Sequence, residues 1–506
     1  MHQINKRKIS ILFSLVMLTI GLVNIGYATR PDITLNGSGT VLIGDARVLV
    51  ASGGTPPYTW SIKTISGAPA VLSEYTGATV AFLATVDPGT CTVIVTDHTG
   101  AVNTTQNLVV IPAPKPLKSL WVWGTSNIPN ANAATTLVTT ATTHQVRDIF
   151  LLVKGESGTF VTYRLNWLLQ AAKAMNTNLR IHPWIICFKD ATSARSGNYT
   201  TYGSTTSWIT PMDTKFRQYL MNTCIIPLVR DYPDIAGIHV DYFRYSGAGS
   251  RGFAGNNDTS ASVVAFCQEI VTTIRKYNPS LPVSIAIKAE DNIERTYGQD
   301  YFKFSNVGTR ILAPMSYAGE YNQPASWVGV VAKRVRDTAT QTCLVYAGEG
   351  TNGATANEIA AETCYALDSG AEGICAFCYP LSAAQWAVWD TVGTALPITF
   401  SPQTAICIPV GNSVIISADG GWKPFAQWTT NNWSIGSVAV FFGDDSVRFY
   451  AQSTGTCVIT VKDSAPGPRE SNSALITVTP SEAIEKSVSE RIIKQPHSMI
   501  TIHNQK

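Results

Sequence analysis

The sequence predicts a multidomain chain: a central α/β domain, a (β/α)8 TIM barrel, with an all-β sandwich on each side. Three observations carry that expectation. Eight apolar, strand-like runs alternate with longer helical patterns through the middle of the chain. A Gly/Pro/Trp block followed by a β-branched run occurs near each end. The fourth apolar run ends in Asp241-Tyr242-Phe243-Arg244-Tyr245, a carboxylate, an arginine and three rings where a barrel strand opens onto its C-terminal face.

Taken in order, Lys6, Arg7 and Lys8 precede an apolar stretch from Ile9 to Val23, and Gly26-Tyr27-Ala28 supplies small residues at a cleavage position. Residues 1–28 therefore read as a signal peptide, with the mature chain beginning near Thr29. The stretch falls short of the roughly 20 residues of a membrane span. A secreted or cell-surface protein with no membrane span in its mature chain is expected, an uncleaved N-terminal anchor being the alternative.

Residues 30–112 and 398–480 share a pattern. Gly53-Gly54-Thr55-Pro56-Pro57-Tyr58-Thr59-Trp60 precedes Gly89-Thr90-Cys91-Thr92-Val93-Ile94-Val95 in the first, and Gly420-Gly421-Trp422-Lys423-Pro424-Phe425-Ala426-Gln427-Trp428 precedes Gly455-Thr456-Cys457-Val458-Ile459-Thr460-Val461 in the second. Short β-branched runs between Gly, Pro, Asn and Asp turns predict sandwiches of roughly 80 residues. The Gly-Gly-Thr-Pro-Pro-Tyr-Thr-Trp block resembles secreted bacterial immunoglobulin-like modules. Trp60 and Trp428 hold the repeated position and are expected in the cores, whereas Trp422 and Trp433 are candidates for an exposed sugar-stacking face. Residues 111–116 form a proline-rich linker, and residues 481–506 are polar and aperiodic, the pattern of a disordered tail.

Between them, residues 115–396 hold the eight runs: Leu120 to Trp123, Ile149 to Lys154, Leu179 to Phe188, Gly237 to Arg244, Val283 to Ala289, Ile311 to Tyr317, Cys343 to Ala347 and Gly373 to Tyr379. Helical spacing marks Leu165 to Met175, Met212 to Val229, Ser260 to Tyr277 and Ala354 to Leu367. That count over about 280 residues is the size of one barrel.

Composition narrows the partner. Charged residues make up 14% of the chain and the formal net charge is +3, so there is no electrostatic case for nucleic acid or an anionic membrane. A neutral polymer such as a polysaccharide is the natural partner. The ten cysteines mostly lie in apolar runs, as buried thiols do. Cys375 and Cys378 spell a CxxC but fall in a strand, where positions three apart face opposite ways. Cys407 and Cys457 fall in an exported β-domain, and a disulfide across its two sheets is left open.

Four strand-end motifs together carry a further resemblance: Arg180-Ile181-His182-Pro183-Trp184-Ile185, Gly237-Ile238-His239-Val240-Asp241-Tyr242-Phe243-Arg244-Tyr245, Arg295-Thr296-Tyr297-Gly298-Gln299-Asp300-Tyr301 and Ala313-Pro314-Met315-Ser316-Tyr317. In this order they resemble the glycosyl hydrolase-like barrel family, formerly a domain of unknown function related to glycoside hydrolase family 10. The resemblance implies a carbohydrate-active barrel acting on a polysaccharide or cell-wall glycan. It would place His182, Trp184, Asp241, Tyr242, Arg244, Arg295, Gln299, Asp300 and Tyr317 around the site. The chain departs from the family pattern at Ser246, which replaces a proline, and in the Gly-rich loop from Gly247 to Gly255.

Glycosidic hydrolysis uses two carboxyl groups, one to protonate the leaving oxygen and one to act as nucleophile or to activate water. Asp241 is the first candidate. Its partner is expected across the barrel, at Glu320 after the sixth run or Glu349 after the seventh, with Glu290 and Asp300 behind them. Arg244 either pairs with Asp241 and holds it ionised or forms a rim ion pair. His182 and Lys288 are candidates to bind sugar hydroxyls, and Trp121, Trp123 and Trp184 to stack on sugar faces. His182 and His239 have no third ligand at metal-site spacing, so no metal and no cofactor is expected. The alternative is a surface or matrix protein that binds glycan without cleaving it, since a fold alone guarantees no activity.

Overall fold

The computed structural model describes residues 30–113, 116–201, 207–247, 260–391, 399–401, 406–419, 427–440, 446–462 and 471–480. The signal-peptide and tail segments, Trp422 and most of the Gly-rich loop after the fourth motif lie outside the described residues.

The first β-domain contains β1 (Asp32–Leu35), β2 (Thr40–Leu42), β3 (Ala46–Ser52), β4 (Thr59–Ser66), β5 (Ala70–Leu72), β6 (Thr79–Ala84), β7 (Gly89–Thr96), β8 (Val102–Thr104) and β9 (Leu108–Ile111). One sheet runs β1-β3-β6-β5 and the other β2-β9-β7-β4, with β8 attached to β7. Period-2 alternation places Cys91, Val93 and Val95 of β7 in the core. Trp60 is buried there too, its indole N–H donating to the Gly77 carbonyl at 2.7 Å.

The middle of the chain is a closed barrel of eight parallel strands, β10 to β17 in sequence order: Leu117–Val122, Val146–Lys154, Arg180–Ile186, Ile238–Asp241, Val283–Ile287, Ile311–Pro314, Leu344–Gly350 and Gly373–Phe377. Pairing of β10 with β17 closes it. These strands are buried on both faces, against helices outside and against one another inside, which is why they read as apolar runs rather than alternating patterns. Among the helices, 214–231 is interrupted by a π turn at Met221–Ile225, just before Pro227. Proline carries no N–H and its ring crowds the carbonyl four residues earlier, and the wider turn relieves both.

Register decides which side chains face the barrel axis. Ser119 pairs with Asp148 and Trp121 with Phe150, Phe150 with His182 and Leu152 with Trp184, Trp184 with His239 and His239 with Ser284. Partners in parallel strands point the same way, so these residues stack in layers along the axis. Inside the barrel lies a buried polar network centred on Asp148. Asp148 accepts from His182 Nε2 at 2.8 Å and from the Tyr346 hydroxyl at 2.9 Å, and pairs with Arg180 at 3.1 Å. Burial pushes the Asp148 carboxyl up, but Arg180, His182 and Arg147 outweigh it and hold it below the ordinary carboxylate range.

The second β-domain contains β18 (Thr399–Ser401), β19 (Ile406–Pro409), β20 (Ser413–Asp419), β21 (Gln427–Thr430), β22 (Gly436–Val440), β23 (Ser446–Ala451), β24 (Gly455–Lys462) and β25 (Ser471–Thr479). Its sheets run β18-β20-β23-β22 and β19-β25-β24-β21. Apart from β8, this is the strand order of the first β-domain, so the repeated blocks in the sequence correspond to a repeated topology. Trp428 is buried in a core fed by both sheets, while Trp433 is exposed. The open question of a Cys407–Cys457 disulfide resolves to two free thiols. They lie in the same sheet on strands flanking β25, Cys457 facing the core and Cys407 facing solvent.

Candidate active site

At the C-terminal ends of the barrel strands lies a cavity of about 360 Å³ whose lining includes Asp241, Glu320, Tyr242, Arg244, Lys288 and Tyr321 among polar side chains. Trp121, Trp123, Trp184, Met315, Tyr317 and Phe377 supply its apolar walls. Inward parity builds this wall, since Trp121 and Trp123, Met315 and Tyr317 each sit two positions apart along a chain leaving the barrel. The rings form a continuous surface, with Trp123 5.2 Å from Trp184, Tyr317 stacked on Phe377 at 5.0 Å and edge-on to Trp121 at 6.2 Å. Such a concave aromatic wall with a few convergent polar groups suits a polyhydroxylic ligand with apolar faces.

Beneath the wall, Trp121 donates its indole N–H to His239 Nε2 at 2.9 Å, and His239 Nδ1 lies 2.8 Å from the Ser284 hydroxyl. Burial holds the His239 pKa well below its ordinary value, with the nearby His182 adding to the effect. A neutral ring that accepts at Nε2 carries its proton on Nδ1 and donates it to Ser284. This chain fixes the Trp121 indole as a rigid floor.

Asp241 closes β13. It is 5% exposed, and its Oδ1 accepts the Tyr242 backbone N–H at 2.5 Å. Burial pushes its carboxyl up to about 6, against the opposing effects of the Tyr242 N–H, Arg244 and Trp184. Of the two alternatives left open for Arg244, its charge does favour the ionised Asp241, but desolvation outweighs it. Arg244 is instead enclosed by rings, its guanidinium carbon lying 4.9 Å from the Trp208 and Tyr242 centroids and 5.1 Å from Tyr297. Tyr242 adopts a left-handed backbone with φ 46°. For a bulky residue this conformation carries strain of about 1–3 kcal/mol, of the kind that clusters at functional sites.

Glu320, expected across the barrel from Asp241, lies instead two strands along from it, exposed on the loop beyond β15. Lys288, on the chain leaving β14, donates to the Tyr321 hydroxyl at 2.8 Å and pairs with Glu290 at 3.0 Å. Burial raises Glu290, but its own backbone N–H and Lys288 bring it below the ordinary range, so it remains an anion engaged with lysine.

Other residues expected at the site lie elsewhere. Glu349 is corrected by register: Tyr346, Gly348 and Gly350 share the parity that faces the axis, and Glu349 points into the helix layer. There it is fully buried, accepting from the Thr363 hydroxyl at 2.5 Å and the Trp389 indole at 3.1 Å. Burial pushes its carboxyl well above the usual range. His182 belongs to the Asp148 network one layer below Trp184, and burial keeps it on the neutral side. Gln299 is buried and accepts from Lys288 N at 2.9 Å while donating to the Ala286 carbonyl at 3.2 Å, fastening a loop to β14. Asp300 caps the helix Tyr301–Asn306 through Lys303 N at 2.9 Å. The Arg295 side chain lies outside the described residues. Reading the sequence did not anticipate Tyr321, Phe377 or Glu156. Glu156, on the loop after β11, pairs with Lys189 at 2.5 Å and its charge helps to raise Asp241. Tyr321 follows Glu320 directly, and that adjacency was the available signal.

No protein-family model matches the chain, and no curated protein matches it. Among solved structures it is similar to the endo-β-1,4-mannanase of Thermotoga petrophila, at 10% identity and TM-score 0.42, over 73% of this chain and 99% of that one. A class V chitinase from Pseudomonas fluorescens matches at 12% identity and TM-score 0.39, over 55% of this chain and 99% of that one. The catalytic domain of a Paenibacillus polymyxa β-amylase matches at 11% identity and TM-score 0.41, over 54% and 96%. At these scores the barrel rests on its own strand pairing, and its chemistry on the residues that line the cavity.

Proposed function

We propose that this chain is a secreted glycoside hydrolase acting on an extracellular or cell-envelope polysaccharide. The observation that carries the reading is a buried Asp241 with its pKa raised to about 6, sharing an aromatic-walled cavity with Glu320. A carboxyl that keeps its proton up to about pH 6 suits a general acid in mildly acidic conditions. Asp241 would pass its proton to the glycosidic oxygen of the leaving sugar as the bond to the anomeric carbon breaks. Glu320 would either attack that carbon or take a proton from the attacking water. A separation of about 5–5.5 Å between the carboxyls goes with retention and about 6.5–9.5 Å with inversion.

Trp123 and Phe377 would hold sugar faces, backed by the buried Trp184 and Tyr317, and Lys288 and Tyr242 would orient hydroxyls. The flanking β-domains are read as immunoglobulin-like spacer arms, with the exposed Trp433 as a possible glycan contact. The exposure of Glu320 favours a second reading, a barrel that binds glycan without cleaving it. Reducing-end release from neutral, amino-sugar and cell-wall glycans separates the two. Release that disappears in both Asp241→Asn and Glu320→Gln supports the hydrolase. Absence of release with retained glycan binding supports the second reading. Proton NMR of the first-formed anomer then assigns retention or inversion.

A further inference from the structure

A second cavity of about 450 Å³ is formed by the loop after β15, the end of β16 with the loop that follows, and the first turns of the helix Ala356–Asp368. Glu320 lines both cavities. The second is acidic, because Glu358 and Glu362 join Glu320 in its lining and no Lys, Arg or His does.

The three carboxylates are not equivalent. Glu358 is engaged by its own helix, accepting from Thr355 N at 2.7 Å and the Thr355 hydroxyl at 2.9 Å in a capping box. These bonds hold it below the ordinary pKa range, so it stays anionic and offsets the positive end of the helix. Glu362 is different: it is 4% exposed, and its Oε2 has no hydrogen-bond partner. A buried carboxyl oxygen without a partner is costly and uncommon. Burial, then the Glu358 charge, pushes Glu362 up to about 7. A cation arriving beside it would favour its ionised form by charge pairing, opposing the effects of burial and of Glu358. A single buried carboxyl flanked by amide side chains suits an ammonium, and among the described residues no three His, Cys, Asp or Glu side chains converge as metal ligands. Gln323 and Asn352 add groups for hydroxyls.

We propose that this second cavity binds a sugar unit bearing a free, protonated amine, with Glu362 receiving the ammonium and Glu320 joining the unit to the adjacent catalytic cavity. The site rests on the hydrolase reading only in taking its ligand to be a glycan. N-acetylation removes the charge and adds bulk, so the acetylated sugar is refused.

The test uses the full mature chain and three monosaccharide probes, D-glucosamine, N-acetylglucosamine and glucose, with affinities from ligand-observed NMR titration at pH 7. Glucosamine is expected to bind at least about tenfold tighter than the other two, as a charge-assisted bond provides. Glu362→Gln is expected to bring the three within about twofold, while Asp241→Asn keeps the preference. Gln323→Lys, a change at an exposed position, places a cation in the lining and is expected to abolish the preference even where Glu362→Gln does not fold. Equal affinity for all three probes in the unmodified protein overturns the proposal, as does a preference that survives both variants. Glucosamine preference without glycan release would sink the hydrolase reading alone. Release from glycans with no glucosamine preference would sink the amine site alone.

Discussion

Replacing Asp241 by Asn separates what this carboxyl does for chemistry from what it costs the fold. Burial raises its pKa from the ordinary 3.8 to about 6, so between those values the folded state holds a proton that the unfolded state has released. Stability of the unmodified protein therefore falls as pH rises through this window. The full loss, reached above pH 6, is about 3 kcal/mol by linkage. Asn is neutral throughout and nearly the same shape. Below pH 3.8 the two proteins should unfold alike, and above pH 6 the variant should be more stable by about 2–3 kcal/mol. Urea unfolding of the barrel, followed by tryptophan fluorescence at several pH values from 3.5 to 8, measures the difference directly. Glycan release by the unmodified protein should decline as pH rises through about 6, where the acid loses its proton. A stability difference that does not change with pH, or one that favours Asp241 as pH rises, would refute the argument that desolvation governs this group.

Glu349→Gln should leave glycan release within about twofold and stability within about 1 kcal/mol, since burial pushes the native carboxyl towards its neutral form and it faces the helices. A loss of release without loss of folding would return Glu349 to the site. Lys154 and Asp190 form a buried ion pair at 2.9 Å, with Lys154 also donating to the Ile186 carbonyl at 2.9 Å. Lys154→Met should cost about 3–5 kcal/mol by leaving Asp190 uncompensated, and the double variant Lys154→Met/Asp190→Asn should recover part of it in urea unfolding. Gly348 has room for no side chain, because an added Cβ would meet the Pro314 carbonyl oxygen at 2.6 Å and the Tyr317 ring at 3.1 Å. Gly348→Ala should cost about 1–3 kcal/mol and weaken sugar affinity by displacing Tyr317, both measurable on the folded variant.

The barrel strands were legible because parallel strands buried on both faces leave unbroken apolar runs, and each run found in the sequence overlaps a barrel strand. The same double burial hides which parity faces the axis, and that is why Glu349 could not be told from an inward residue in Leu344–Gly350. Depth was hidden for a related reason: His182 and Trp184 share a face of β12, and register alone places one below the other. In the β-domains parity was readable. Ile406-Cys407-Ile408 turns Cys407 away from its neighbours, and Cys457 keeps step with Ile459 and Val461, so the pair could have been set aside on alternation. Asp300 carried a helix-cap pattern in Asp300-Tyr301-Phe302-Lys303. Asp241 and Glu320, which line the same cavity, were nominated because they stand at or just beyond the ends of apolar runs, whereas Glu156 sits in a loop whose approach to Asp241 depends on tertiary structure.

The matched strand order of the two β-domains has a consequence for the biogenesis of the chain. Each copy carries the information to complete the sheets of the other, so a strand from one could seat in the other during folding, a failure mode of chains with repeated domains. Two properties oppose this exchange. The copies have diverged in sequence, as Tyr58-Thr59-Trp60 against Ala426-Gln427-Trp428 shows. The barrel that separates them keeps the second copy behind the first as the chain is delivered N-terminus first, so the first copy has time to fold before the second arrives. The intervening enzyme-sized domain thereby acts as a timer, and shortening it is expected to raise the yield of misassembled protein.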